Sequence, residues 1–138
     1  ESRVPAELKE RAIFTGRLPE DDVAVAMNAM DIGFITQTLD MLGSYRLTTK
    51  LPEYLACGLP VAMSPIPGFY DYVAESGWPL PPYHPASAEF HQRCAAWLDT
   101  LNPAEFGPKS VQARLQAEQR FGYEPLCKRF ELFLEHMV

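Results

Sequence analysis

The stretch "KLPEYLACGLPVAMSPIPGF", residues 50–69, decides the fold. It opens as a helix-like run that ends at Gly58, the residue type favoured just past a helix end because it accepts a left-handed backbone. Pro60 follows, then the short apolar run "VAMS" at 61–64, then a loop with Pro65, Pro67 and Gly68. That is helix, turn, buried strand and loop in twenty residues. A single acid, Glu53, sits near the start of the helix. Acids are common there because they complement the helix dipole, so position alone favours a solvated carboxylate over a ligand contact.

Working outward, the same alternation continues on both sides. "VPAELKE" near the amino terminus reads as a short helix. "AIFTG" (12–16) is an apolar run closed by glycine and predicts a buried strand. "PEDDVAVAMNAM" starts with acids and places Val23, Met27 and Met30 on one face, predicting a helix. "DIGFIT" (31–36) predicts a second strand. The polar stretch 37–49 is the longest irregular segment, and loops of that length in compact domains are commonly functional. Past the opening motif, "FYDYVAES" (69–76) predicts a short helix and "WPL" (78–80) a last strand. Strands alternating with helices predict a Rossmann-like open parallel sheet with crossover helices. The strands are apolar throughout rather than alternating, as strands covered on both faces are.

After "PLPPYHP" the pattern becomes purely helical. Phe90, Cys94, Trp97, Leu98 and Leu101 mark one face. Val111 and Leu115 mark a helix begun after Pro108. Leu126, Phe130, Phe133, Leu134 and Met137 mark the last. The 138 residues therefore divide into an α/β core (1–84) and a tail of packing helices (85–138) within one domain.

Composition sets further bounds. Hydrophobic content of 47% and charged content of 22% are those of an ordinary globular chain. A net charge of −6 argues against nucleic acid or an anionic membrane surface as the main partner. It leaves room for a small anion held by backbone amides at a helix start. No apolar run is long enough to span a bilayer. Cys57, Cys94 and Cys127 are odd in number and widely spaced, which predicts reduced thiols and a cytoplasmic setting. Cys57, at a helix end, lacks the positive field that activates a thiol. His84, His91 and His136 share no metal-ligand spacing, and Glu20, Asp21 and Asp22 read as the acidic first turn of a helix. No metal and no cofactor are expected.

In open parallel sheets, ligands bind beyond the carboxyl ends of the strands. Those ends are Gly16–Asp22, Gln37–Thr49 and Ser64–Gly68. The middle loop runs straight into the helix carrying Glu53. Thr48 and Thr49 are its candidate caps, leaving nearby amides to meet an anion. Glu53 lies one turn in, where a carboxylate can accept hydrogen bonds from a ligand's hydroxyl pair.

The wording of the stretch goes further. "KLPEYLACGLPVAMSPIPGFYDYV" resembles the carboxyl-terminal domain of retaining GT-B glycosyltransferases, whose variant pattern is "KxxEYLAxGxPVV". Lys50, Glu53, Tyr54, Leu55, Ala56, Gly58, Pro60 and Val61 match it. "AIFTGRL" is similar to the family's "VxFxGxV", "AMNAMDIGFI" to its "xxxADVxVxPS", and "GWPLPPYHPASAEFHQRCAAWLD" to its "GxLVxPxDPxxLAxAIxxLL". "RFGYEPLCKRFELFL" is similar to the family's terminal helices. The order and gaps agree from residue 12 to about 99. The resemblance implies a partial GT-B carboxyl-terminal domain that binds a nucleotide-diphosphate sugar as donor substrate and transfers the sugar without a bound metal. It implies that Glu53 holds the donor ribose, that Thr48, Thr49 and Lys50 lie at the diphosphate, and that Leu18 lies against the nucleobase. Asp71 matches the acid of a following family helix and reads as structural. Tyr45 stands where the family has the first acid of its E-x7-E pair, near the donor sugar. Asp40 has the wrong spacing to replace that acid.

Expected partners are thus a nucleotide sugar and an amino-terminal acceptor domain, this chain being a fragment of a two-domain enzyme and inactive alone. The alternative is a non-catalytic GT-B-like binding or assembly domain, motivated by Tyr45. A flavodoxin-like or receiver-type domain is a third option, for which "FTGRLPEDD" supplies neither a phosphate loop nor an acid cluster. An incomplete sheet exposes apolar surface, so self-association is expected. Light scattering should show a dimer or larger species, and a clean monomer at high concentration would count against the fragment reading.

Overall fold

The computed structural model describes residues 5–46, 48–73 and 75–137. Val4 of the first expected helix, Leu47 of the long loop and Ala74 of the expected 69–76 helix lie outside the described residues. Among the described residues three strands, β1 (Gly33–Ile35), β2 (Val61–Met63) and β3 (Gly77–Pro79), run parallel in the order β1-β2-β3. Gly33 pairs with Val61 and Ile35 with Met63, while Val61 pairs with Gly77 and Met63 with Pro79. The expected α/β class with a Rossmann-like parallel sheet is what the chain adopts.

β2 is the centre of the sheet, and its three residues are all buried. Because side chains alternate along a strand, Val61 and Met63 enter one core and Ala62 the other. The first core is built with Leu51 and Leu55 from helix α3 (Lys50–Ala56), Phe69 from the single-turn α4 (Phe69–Tyr72), and Ala113 and Ala117 from α6 (Phe106–Arg120). The second gathers Leu80 and Phe90 under α5 (Ala88–Leu98), with Cys94 and Trp97 packed alongside. Ser87 caps α5 by accepting from the Phe90 amide at 3.1 Å. No described helix is long and apolar enough to cross a membrane.

The turn after α3 fixes the approach to β2. Gly58, at φ 67°, donates to the Leu55 carbonyl, and the Leu59 amide donates to the Tyr54 carbonyl, each at 2.9 Å. This paired closure satisfies carbonyls that a helix end leaves open. Arg114 of α6 contributes too, its guanidinium donating to the Ala56 carbonyl while pairing with Glu118. On the other side of α3, the Tyr54 ring lies on Gly33, where an added Cβ would come within 2.5 Å of it.

The outer strand β3 is covered by an aromatic clamp. Trp78 packs against Trp97 and Phe106, and its indole N–H donates to the Glu105 carboxylate at 3.1 Å. Lys109 donates to the Gly77 carbonyl at 2.9 Å with its ammonium 4.8 Å from the Trp78 ring centroid. Trp78 thus closes the sheet edge.

Three expectations are corrected. Residues 12–16 form no strand: Ile13 is 90% and Phe14 51% exposed. An extended segment gains little unless a neighbouring strand accepts its hydrogen bonds, and no described strand lies beside this one. In α6, Val111 and Leu115 are exposed, whereas Ala113 and Ala117 are buried. Small residues bring α6 close to α3, so the packing face is the one with the least side chain. Helix α7 (Tyr123–Glu135) buries none of its residues, leaving Leu126, Phe130, Phe133 and Leu134 exposed, as is Met137 beyond its end. The remaining expected elements form with shifted ends, including α1 (Glu20–Asn28), which buries Met27.

Gly58→Ala forces a side chain into the left-handed region and brings its Cβ to 3.3 Å from the Ser110 hydroxyl. We expect a loss of about 1–2 kcal/mol, read as a lower urea midpoint at unchanged slope.

Candidate functional site

The carboxyl ends of β1 and β2 are tied together. Just beyond β1, the Gln37 amide donates to the hydroxyl of buried Ser64 at 2.8 Å, and the Ser64 amide donates to the Ile35 carbonyl at 3.0 Å. The Gln37 side chain then reaches across the loop, its amide nitrogen donating to the Arg46 carbonyl at 2.5 Å. One glutamine therefore ties residues 37–46 together at both ends.

Within the loop lies a single helical turn, α2 (Met41–Ser44). Asp40 caps it, one carboxylate oxygen accepting from the Gly43 amide at 2.8 Å and from the Thr38 hydroxyl at 3.0 Å. These bonds favour the charged form, the Gly43 amide most and the Thr38 hydroxyl next, so the Asp40 pKa is lowered. Asp40 is thus engaged as the cap of α2.

Next comes the start of α3. Thr49 occupies the cap position but makes no side-chain cap bond. Thr48 does that work: its hydroxyl accepts from the Lys50 amide and its carbonyl from the Leu51 amide, each at 3.3 Å. The Lys50 amide, expected to be open to an anion, therefore already has a partner, as does the Leu51 amide. The side chains are open instead. Lys50 and Glu53 are both exposed, and neither forms an ion pair among the described residues. Tyr54, beside Glu53, has its phenol pushed up by burial first and by the Glu53 charge second.

Two clefts flank this first turn. One, of about 240 Å³, is lined by Tyr45, Arg46, Leu51, Met63, Phe69 and Tyr72. The other, of about 380 Å³, is lined by Pro52, Glu53, Ala56, Ala117 and Phe121 among others. Tyr72 in the first stacks on Phe121 in the second, with centroids 6.0 Å apart. The structure thus brings Tyr45 and Glu53 to opposite sides of one helical turn, not into one pocket. Thr48, Thr49 and Lys50 lie beside that turn, and Leu18, half-buried ahead of α1, lines neither cleft. A further cavity of about 370 Å³ between Met27, Cys57, Pro60, Phe106 and Ser110 opens at the opposite, amino-terminal edge of the strands. Ligands of open parallel sheets do not bind at that edge.

With this geometry in view, comparison with known proteins is informative. Residues 1–99 match the family model of glycosyl transferases group 1. The chain belongs to that family. No curated protein and no solved structure matches it. The match covers the sheet, α1 to α5 and all of the first cleft, and it ends before α6, which lines part of the second. Of the residues that shape this edge, sequence reasoning named Gln37 and Ser64 only as the first residues of their loops, and it did not single out Arg46. The position of Gln37 and Ser64 directly after two strands was the available signal. Arg46 had only its adjacency to Tyr45.

Because folding lowers the Asp40 pKa, its stabilising contribution is complete above the usual aspartate range. It is lost as pH falls through the lowered value. In an NMR titration the Gly43 amide should report a midpoint below the ordinary value of about 3.9. Thr38→Ala should move that midpoint upward.

Proposed function

We propose that this domain binds a nucleotide-diphosphate sugar at the carboxyl edge of its sheet and presents it for transfer to an acceptor, as a retaining GT-B enzyme does. The supporting observation is Glu53: an exposed, unpaired carboxylate in the first turn of α3, at the rim of an apolar cleft, in a chain of the group 1 transferase family. In this reading Glu53 accepts hydrogen bonds from the ribose hydroxyls. The Lys50 ammonium, with Thr48 and Thr49 beside it, meets the diphosphate and stabilises the charge that develops as it leaves. Glu53 and Lys50, three apart on a helix, face the same way, which suits adjacent groups of one nucleotide.

The same reading makes the sheet half of a larger one. In the doubly wound order 3-2-1-4-5-6, β1, β2 and β3 correspond to the run 4-5-6. The 12–16 segment then corresponds to strand 3, separated from β1 by two further strands. Its exposure follows, as does the half-open face of Phe34 on β1, which is 43% exposed. An acceptor domain opposite the strand ends would complete the reaction cleft, and the free thiols suit a cytoplasmic enzyme. Tyr45, exposed on the first cleft where an acid is the family's pattern, favours a second reading: a domain that binds the donor without turning it over.

In the enzyme that carries this domain, Glu53→Ala should weaken donor-nucleotide affinity by about tenfold or more, from loss of charge-assisted hydrogen bonds worth ~1.5–3 kcal/mol. Calorimetric titration with a panel of nucleoside diphosphates measures it, and unchanged affinity would sink the assignment. Release of nucleotide from any donor sugar by the same protein excludes the non-catalytic reading.

A further inference from the structure

The first cleft has a chemistry of its own. Its walls are aromatic and apolar, with Tyr45, Phe69 and Tyr72 around Met63 and Leu51, and no carboxylate lines it among the described residues. Arg46 is the one charged residue among the described residues that line it, while the Arg120 guanidinium lies 5.3 Å from the centroid of the Tyr72 ring. The Arg46 main chain is held on both sides, the amide donating to the Gly43 carbonyl and the carbonyl accepting from Gln37. Its guanidinium forms no ion pair and no hydrogen bond among the described residues. A fixed backbone with an uncommitted guanidinium, at the end of a parallel sheet in a chain of net charge −6, is a cation kept for something other than the protein. Of the carboxylates on the surrounding elements, Asp40 caps α2, Asp71 of α4 does not line the cleft, and Glu53 lines the cleft on the other side of α3's first turn.

Size and shape narrow the occupant. About 240 Å³ lies below the roughly 300–1,000 Å³ filled by drug-sized ligands, which suits one ring and not a whole nucleotide. Aromatic side chains offer flat apolar faces, against which the C–H face of a pyranose can lie. Arginine presents a planar fork that matches a carboxylate with two parallel hydrogen bonds. We infer that this cleft is a subsite for an acidic sugar, a pyranose bearing a carboxylate, with Tyr45 against the ring and Arg46 paired to the acid group. The inference rests on the donor-binding reading above for its place in the reaction, since the sugar would be the transferred part of the donor. Its ligand chemistry is testable without the nucleotide.

The probes are methyl α-D-glucuronide, methyl α-D-glucoside and glucose 6-phosphate, followed by saturation-transfer NMR and titration of this chain. The glucuronide should bind and the uncharged glucoside should bind at least tenfold more weakly. Arg46→Gln should remove that preference, while Arg46→Lys should restore part of it. In a second arm, the affinity for nucleoside diphosphates without sugar should be the same in the Arg46→Gln protein and the parent. Equal binding of glucoside and glucuronide, no effect of Arg46→Gln on the glucuronide, or binding of the phosphate but not the carboxylate would each overturn the subsite. So would an Arg46→Gln protein that loses the bare nucleoside diphosphates, because Arg46 would then serve the diphosphate. Nucleotides that fail to bind while the glucuronide binds would instead overturn the donor reading and leave the subsite in place. Amide chemical shifts of Gly43, Ser64 and Leu80 that are unchanged in the variants show that they remain folded.

Discussion

The structure depends on β2 being buried from both faces. A strand of only three residues contributes few ladder bonds, so its place is held by what lies above and below it. Leu51 and Leu55 press on one side, and Ala62 meets Leu80 and Phe90 on the other. Each fully buried leucine is worth about 1.5–3 kcal/mol over an exposed one, which is substantial beside the ~5–15 kcal/mol net stability of a domain. The Gly58 closure matters for this reason. It sets the angle at which α3 turns back into β2, and α3 in turn places Glu53, Lys50 and Tyr54. The site is thus a by-product of how the central strand is covered.

How much of this was legible depended on whether a segment's partners lay nearby in sequence. Residues 50–64 were readable because helix, closure and strand satisfy one another locally: Leu59 bonds back to Tyr54, and Val61 packs with Leu55. Residues 12–16 have the composition of a strand, but composition cannot supply a neighbour, and Ile13 stays in solvent. The α6 face was misread for a related reason. Hydrophobicity points to Val111 and Leu115, yet α3 approaches so closely that only Ala113 and Ala117 fit between them. The apolar stripe of α7 was visible, but a stripe shows what a helix can bury and not whether this chain covers it.

The site divided in the same way. Glu53 and Lys50 could be singled out because they lie inside a local motif whose spacing is fixed by the helix. Gln37 and Ser64 act through contacts 27 residues apart, and no spacing rule connects them. Thr48 was named as a cap, and it is one, but its success has a cost for the expected anion site. By accepting from the Lys50 amide it takes up a donor that was meant to stay open. Side-chain cations then become the better candidates for meeting negative charge at this turn, a change that only the hydrogen-bond pattern reveals.

The two clefts carry opposite charge patterns, and that has a consequence for orientation. Arg46 is the lone charge of one, while the other holds Glu53 and Glu118 with Arg114, which is already engaged by Glu118 and the Ala56 carbonyl. A neutral ligand would find little to choose between them. A ligand with an acid at one end and hydroxyls at the other would be sorted, its acid drawn to Arg46 and its hydroxyl pair to Glu53. Anything anionic in its middle would fall beside Lys50, on the turn between. The Tyr72–Phe121 stack joins the walls of the two clefts, so their separation is set by packed rings and not by mobile chain. Fixed spacing between unlike charges is what lets a binding surface reject a reversed ligand as well as accept a correct one. An acid at the position of Tyr45 would have cancelled the Arg46 charge and left the first cleft without a sign of its own.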